Sequence, residues 1–454
     1  MPGADADLST VNVLVPAGQL GSGVRADEVD RGLALGAHVI AVDAGSTDSG
    51  AAYLALGVSK NTREAVKKDL AILMAAATQA RIPLLVGSCG QAGGDAGVNW
   101  TRDIVVELAG EFGWAPRIAL LYSEQDAQSL KARNAAGRIW ALSPAPALDD
   151  ATLDRCDHIV ALLGPEPYIA ALAAGADIIL GGRTTDTAVL AALPLRAGAP
   201  AGPTWHAAKV AECGALCTTS PGAGAGVFIR IGHDGFEIEP LNPTSRCTVH
   251  SVSAHMLYEN SDPFRLVEPG GVLDVSEARY EQADDRIVRV SGSMWVTTPY
   301  TLKLEGAAAG PYQTIMLVGI QDPEVLANLD EFHDRLHASL VARVQRTLGA
   351  EAGDYDISLR LYGWNAVTGL APPKGTPPPP EVGVLFVATA ATQSLATRIA
   401  KTCNPYFFHF PFRERAELPS YGFAFTPADI ERGRVFEFKL NHVVEVDDPL
   451  ELVH

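Results

Sequence analysis

Carboxylates, one arginine and small polar residues recur directly behind apolar runs in the first ~200 residues. Four segments share this pattern: Pro16–Gly23, Asp43–Gly50, Gly87–Asp95 and Gly181–Asp186. Asp43, Asp95 and Asp186 are carboxyl groups suited to moving a proton once partly removed from water. Arg183 stands at the end of an apolar run, where its guanidinium can hold a carboxylate through two parallel hydrogen bonds. The alternative is structural: Asp186 pairs with Arg183, and Thr184 caps the following helix. Ser46, Thr47, Ser88, Thr184 and Thr185 offer hydroxyls to a substrate, and Gly90, Gly93 and Gly94 offer backbone N–H groups. Cys89 lies in the same glycine-rich loop; it reads either as a thiol activated by a helix N-terminus or as a small buried residue.

The second half contributes Lys303, Glu305, Asn404 and Lys439, polar residues set among apolar ones. Lys303 and Glu305 are candidates for the catalytic set; Asn404 and Lys439 are candidates for substrate binding. The same residues also fit the edge of a sheet. No metal is expected. His333 and His337 share a helical face with Asp334 and Arg335, Cys213 and Cys217 have no second pair, and His255 reads as packing residue beside Met256 and Tyr258. Gly18-Gln19-Leu20-Gly21-Ser22-Gly23 lacks the spacing of a dinucleotide fingerprint, and no phosphate-loop motif occurs. No cofactor is therefore expected.

The elements that must carry these residues alternate. Strands are expected at Val11–Val15, His38–Asp43, Pro83–Gly87, Arg117–Tyr122, Ile159–Leu163 and Asp177–Leu180. Helices are expected between them, among them Asp27–Leu35, Thr62–Ala80, Trp100–Phe112, Tyr168–Ala174 and Thr187–Ala192. Alternation of this kind implies crossovers and a parallel sheet covered on both faces. The fold class is α/β, with an N-terminal parallel Rossmann- or flavodoxin-like sheet over residues 1–200. A second, α+β domain is expected over 204–454, beyond the Ala197–Pro203 segment, and would complete a cleft. Ligands of open parallel sheets bind at the carboxyl ends of the strands, where all four polar loops fall.

Composition excludes several classes. The 454 residues are 47% hydrophobic and 19% charged, which suits large cores and not disorder. A net charge of -18 opposes nucleic acid and anionic membranes. No apolar run reaches the ~18 residues of a membrane helix. Met1–Thr10 does not read as a secretory signal, and six cysteines are few for a disulfide scaffold, so a cytoplasmic setting is expected.

Several stretches resemble the acyclic terpene utilization AtuA-like family. They are Gly87–Trp100, Ala174–Asp177 running into Gly182–Asp186, Ala254–Glu259 running to Pro269–Asp274, and Val290–Ser293 followed by Lys303–Gly306 and Thr314–Met316. The resemblance spans about residues 10 to 450. It implies a catabolic setting and a possible small companion protein. Thr184-Thr185-Asp186 and the aromatic run Tyr406–Phe410 depart from the terpene-pathway pattern. Together these readings favour a cofactor-independent lyase, hydratase or isomerase, in a homo-oligomer, acting on a small branched or unsaturated carboxylate or its acyl-CoA. The alternatives are an accessory metabolite-binding subunit and a nucleotide-dependent enzyme.

Overall fold

The structure, a computed structural model, describes residues 10–222, 224–370, 372–373, 375–413 and 421–454. Met1–Ser9, most of the segment read against a secretory signal, lie outside them. The chain divides into two compact units. The first holds the described residues up to Ala308 together with Glu437–His454; the second is Ala309–Phe436. Ala197–Pro203 lies inside the first unit, where it leads into the helix Ala201–Ala211. The chain passes between units within two long strands, Thr301–Ile320 and Ile430–Glu445.

A nine-stranded sheet organises the first unit. Its order is Arg279–Gln282, Val288–Ser291, Gly235–Pro240, Val227–Gly232, Thr10–Val15, Val39–Asp43, Leu84–Gly87, Ile178–Gly181, Ile118–Leu121. The last five strands are mutually parallel, and the others join antiparallel through the pairing of Thr10–Val15 with Val227–Gly232. The protein is thus α/β, and the hairpin of Val227–Gly232 and Gly235–Pro240 extends this sheet.

Burial explains why the parallel strands read as unbroken apolar runs. Along Leu84-Leu85-Val86, Leu85 joins one core with Val13, Ala41, Ile179 and the helices Ala188–Arg196 and Ala201–Ala211. Leu84 and Val86 join the other, with Ile40, Val42, Leu180 and the helices Arg63–Ala80 and Asp95–Phe112. Successive side chains point to opposite faces, and both faces are covered.

One expected strand of the parallel sheet lies elsewhere. His158–Ala161 pairs antiparallel with Leu304–Ala307, forming a separate ladder of the first unit. Its apolar character is explained by a smaller core with Leu130, Leu153, Leu302 and Leu440. This ladder brings Lys303 and Glu305 beside the parallel sheet.

In the second unit, Val382–Ala390 pairs antiparallel with Tyr355–Tyr362 and with Tyr312–Ile320. The helices Leu329–Leu348 and Gln393–His409 cover it through Phe332, Leu336, Leu340, Ile399 and Phe407. Pro323–Leu326 and Leu329–Leu348 are separate helices.

Candidate functional site

The loops behind Val15 and Asp43 meet around a cleft of about 310 Å³ in the first unit. Gly18, Gln19 and Ser22 come from the first loop, and Asp43, Gly45, Ser46 and Asp48 from the second. Asp186, Cys213, Tyr258 and Glu259 complete the polar wall. Two features hold the first loop in place. The buried Asp69 carboxylate accepts the N–H groups of Gly21, Gly23 and Val24 at 2.8, 3.2 and 2.8 Å. Gly18 also packs so closely on the chain at Cys213 that a Cβ would stand 2.6 Å from the Cys213 carbonyl oxygen.

Asp43 is the last residue of its strand and is 5% exposed. Its Oδ2 accepts the Gly45 N–H at 2.6 Å, while Oδ1 is buried without a hydrogen-bond partner. Burial, then the nearby charge of Asp186, pushes the Asp43 carboxyl well above its ordinary range; Arg183 only partly opposes this. Asp186 keeps 27% of its side-chain exposure. Burial raises it too, but Arg183 pulls it back as partner at 3.3 Å. Asp43 is the more enclosed of the two and has an unpartnered oxygen.

Arg183 stands behind this wall. Its Nε donates to Glu305 at 3.2 Å, and its Nη1 donates to Ser88 Oγ, the Thr184 carbonyl and Asp186 at 3.1, 2.9 and 3.3 Å. With 7% of its side chain exposed, it does not line the cleft. Its partners are other residues of the chain, as in the structural alternative. Glu305 also accepts from Thr47 Oγ1 at 2.9 Å and from Lys303 at 3.0 Å. Burial opposes the Glu305 charge, yet Arg183 and Lys303 outweigh it and hold the carboxyl down at about 2.

The glycine-rich loop buttresses the site without lining it. Ser88 adopts a left-handed backbone (φ 48°), which lets Oγ accept from Arg183 and Thr184. Gly93 (φ 67°) lies so close to the Arg183 backbone that a Cβ would meet its nitrogen at 2.2 Å. Gly90 packs on Gly97, and Gly94 precedes the helix Asp95–Phe112. Cys89 is fully buried, and burial pushes its thiol up to about 12, away from the thiolate form a nucleophile needs. Thr184 is buried against Tyr168, and the Thr185 hydroxyl meets Thr187.

Other sequence candidates lie apart. Asp95 faces Glu124, whose carboxylate accepts the Asp95 N–H at 2.9 Å. Lys439 pairs with Glu437 in the first unit. Asn404 is half-buried on the helix Gln393–His409 of the second unit. Ser46 lies in the cleft, where Oγ caps the Asp48 N–H at 3.2 Å.

Sequence reasoning weighs Cys213 and His255 as metal ligands and sets them aside, and it gives Glu212 no role. Glu212 and Cys213 follow the helix Ala201–Ala211, and His255 and Tyr258 bracket a short turn of helix. The His255 ring stacks on Tyr258 at 5.4 Å. Burial pushes Glu212 up to about 8, partly offset by Lys209, which donates to it. Glu268, which accepts from Thr187 at 2.6 Å, is pushed up to about 7 by burial. The usable signal was Glu212-Cys213 falling at a helix end, where side chains can turn into a loop-lined cleft.

A model of the acyclic terpene utilisation family protein AtuA matches residues 63–224 and 228–414. The chain belongs to this family. Comparisons with curated proteins and with solved structures give no match. The matched region carries Asp186, Cys213, Tyr258 and Glu259 of the cleft wall, whereas Asp43 and the Gly18–Ser22 loop precede it.

Proposed function

We propose that this member of the acyclic terpene utilisation family is an enzyme that moves a proton on a small unsaturated acyl group, as a hydratase, lyase or isomerase. One observation carries the reading: a buried Asp43, with one oxygen unpartnered and its carboxyl pushed above the ordinary range by burial, shares the cleft with Asp186. A pair of carboxyls whose environments differ is how acid and base roles are divided at neutral pH.

The cleft wall also narrows the substrate. Asp43, Asp48, Asp186 and Glu259 line it, and none of the described lining residues is Lys, Arg or His. A free carboxylate at the reacting end is repelled by such a wall, so an acyl group held in an uncharged thioester linkage is the favoured form. For hydration, the Asp186 carboxylate takes a proton from water while the oxygen adds to the β-carbon. Asp43 gives its proton to the α-carbon, and Asp186 then returns a proton to Asp43 through solvent.

The test is turnover and thermal stabilisation with unsaturated acyl-CoA thioesters beside their free acids. A ligand at ~100 times its dissociation constant stabilises by about 2.7 kcal/mol. Loss of turnover in Asp43→Asn, with binding kept, supports the assignment. Full turnover in that variant overturns it. Binding by the wild type without turnover overturns the catalytic reading and favours an accessory subunit.

A further inference from the structure

We propose that Glu212, Cys213 and His255 form a binding site for one divalent transition-metal ion, zinc by its donor set, at the side of the cleft that Cys213 lines. The ligand atoms of the three residues lie within 4.8 Å of one another. This is the one such grouping among the described residues. They come from two segments, a helix end at Glu212-Cys213 and the turn at His255, so their meeting is a product of the fold and not of sequence adjacency alone.

A second observation points to a missing partner. His255 is 5% exposed, and its Nε2 is buried without a hydrogen bond. Leaving such an atom unmatched costs about 1–3 kcal/mol, so a native site is expected to fill it. Water is one way to satisfy it, but the company it keeps favours a metal. One imidazole nitrogen, one thiol sulfur and one carboxylate oxygen are all donors that zinc accepts. With bonds of about 2.0–2.3 Å, tetrahedral donors stand roughly 3.5 Å apart, so the cluster need contract by only about an ångström.

The arrangement also has the form of a reactive site. Three protein ligands leave a fourth position, the pattern of catalytic zinc in contrast to closed structural sites. Cys213 lines the cleft, so that position opens toward bound substrate. Lys209 Nζ donates to Glu212 at 2.5 Å and to the Tyr258 carbonyl at 2.9 Å, and the His255 ring stacks on Tyr258. These contacts orient two of the three ligands, as outer partners do around metal centres. A cation here also answers the charge of the cleft, whose lining is acidic. The site does not depend on the proton-transfer reading of Asp43 and Asp186.

The experiment measures metal on the full chain without substrate. Zinc per chain is determined after purification without chelator, then after stripping and titration with zinc alone. About one tightly held zinc per chain is expected in the wild type. Cys213→Ser and His255→Gln are expected to lose at least tenfold in zinc affinity, while His250→Ala, an exposed neighbour, keeps it. Should the ligand variants not fold, maleimide labelling of the wild type decides: zinc is expected to slow modification of Cys213 at least tenfold. Failure of the wild type to take up zinc, wild-type affinity in both folded ligand variants, or Cys213 labelling indifferent to zinc would each overturn the proposal.

Discussion

The Arg183 guanidinium donates to the Glu305 carboxylate at 3.2 Å, joining groups 122 residues apart with only 7% of either side chain exposed. The pair ties the end of the parallel strand Ile178–Gly181 to the separate ladder of Leu304–Ala307. Thr47 and Lys303 complete the coordination of Glu305, so the loop behind Asp43 is fastened to the same point.

Breaking this pair should therefore cost more than an exposed salt bridge would. Removal of one partner from a buried ion pair leaves an uncompensated charge and costs about 3–5 kcal/mol. Arg183→Met is expected to lower the unfolding free energy by that order in urea titration, with the slope unchanged. A loss below ~1 kcal/mol would show that the network carries little of the fold.

The same pair sets an acid limit. Glu305 sits at about 2 in the folded chain against an ordinary value of 4.5. A depressed carboxyl stabilises the fold fully above its unfolded value and loses that contribution as pH falls through the folded one. Stability is expected to fall between about pH 4.5 and 2, by on the order of 3 kcal/mol from this group. Glu305→Gln should flatten that part of the curve, and an unchanged acid limb would contradict the assignment.

Asp43 should do the reverse. Its carboxyl is held well above the ordinary 3.8, so the folded state keeps a proton that the unfolded chain releases. Stability from this group is present below 3.8 and declines as pH rises toward the folded value. Asp43→Asn removes the decline. The difference in melting temperature between variant and wild type is expected to widen in the variant's favour from pH 4 to 7. A constant difference would mean that Asp43 ionises normally.

Much of this arrangement was legible in residue pattern. Apolar runs such as Leu84–Val86 announce strands covered on both faces, and small polar residues behind Val15 and Asp43 announce a site at their ends. The pairing partner of His158–Ala161 was not legible, because a four-residue apolar strand fits a parallel or an antiparallel neighbour equally well. For the same reason Glu305 could be flagged as polar among apolar residues but not matched to Arg183. Arg183 itself reads as an anion anchor in sequence, since only the fold shows its donors meeting Glu305, Ser88 and Asp186. The Glu212–Cys213–His255 grouping rests on a long-range contact that spacing does not encode.

Cys89 offers a simple check on the buttressing role of its loop. The thiol is fully buried and pushed up to about 12. Native protein at pH 8 is expected to leave Cys89 unmodified by iodoacetamide, and Cys89→Ala should retain turnover while losing roughly 1–2 kcal/mol for the small volume removed. Rapid alkylation of Cys89 in the folded chain would restore the nucleophile reading.

Asp69 gives the sharpest separation of loop order from core stability. Its two carboxylate oxygens take three backbone N–H groups of the loop whose neighbours Gln19 and Ser22 line the cleft. An Asn side chain has the same shape but only one acceptor oxygen, and its NH2 would face at least one N–H donor. A buried donor left unmatched costs about 1–3 kcal/mol, and here that cost falls on a surface loop and not on a strand. Asp69→Asn is expected to bind cleft ligands at least fivefold more weakly. Amide exchange should rise at Gly21, Gly23 and Val24 while protection of Leu84–Val86 is kept. Uniformly faster exchange through the sheet would show instead that Asp69 supports the core, and unchanged exchange at the loop would show that its three N–H groups find other partners.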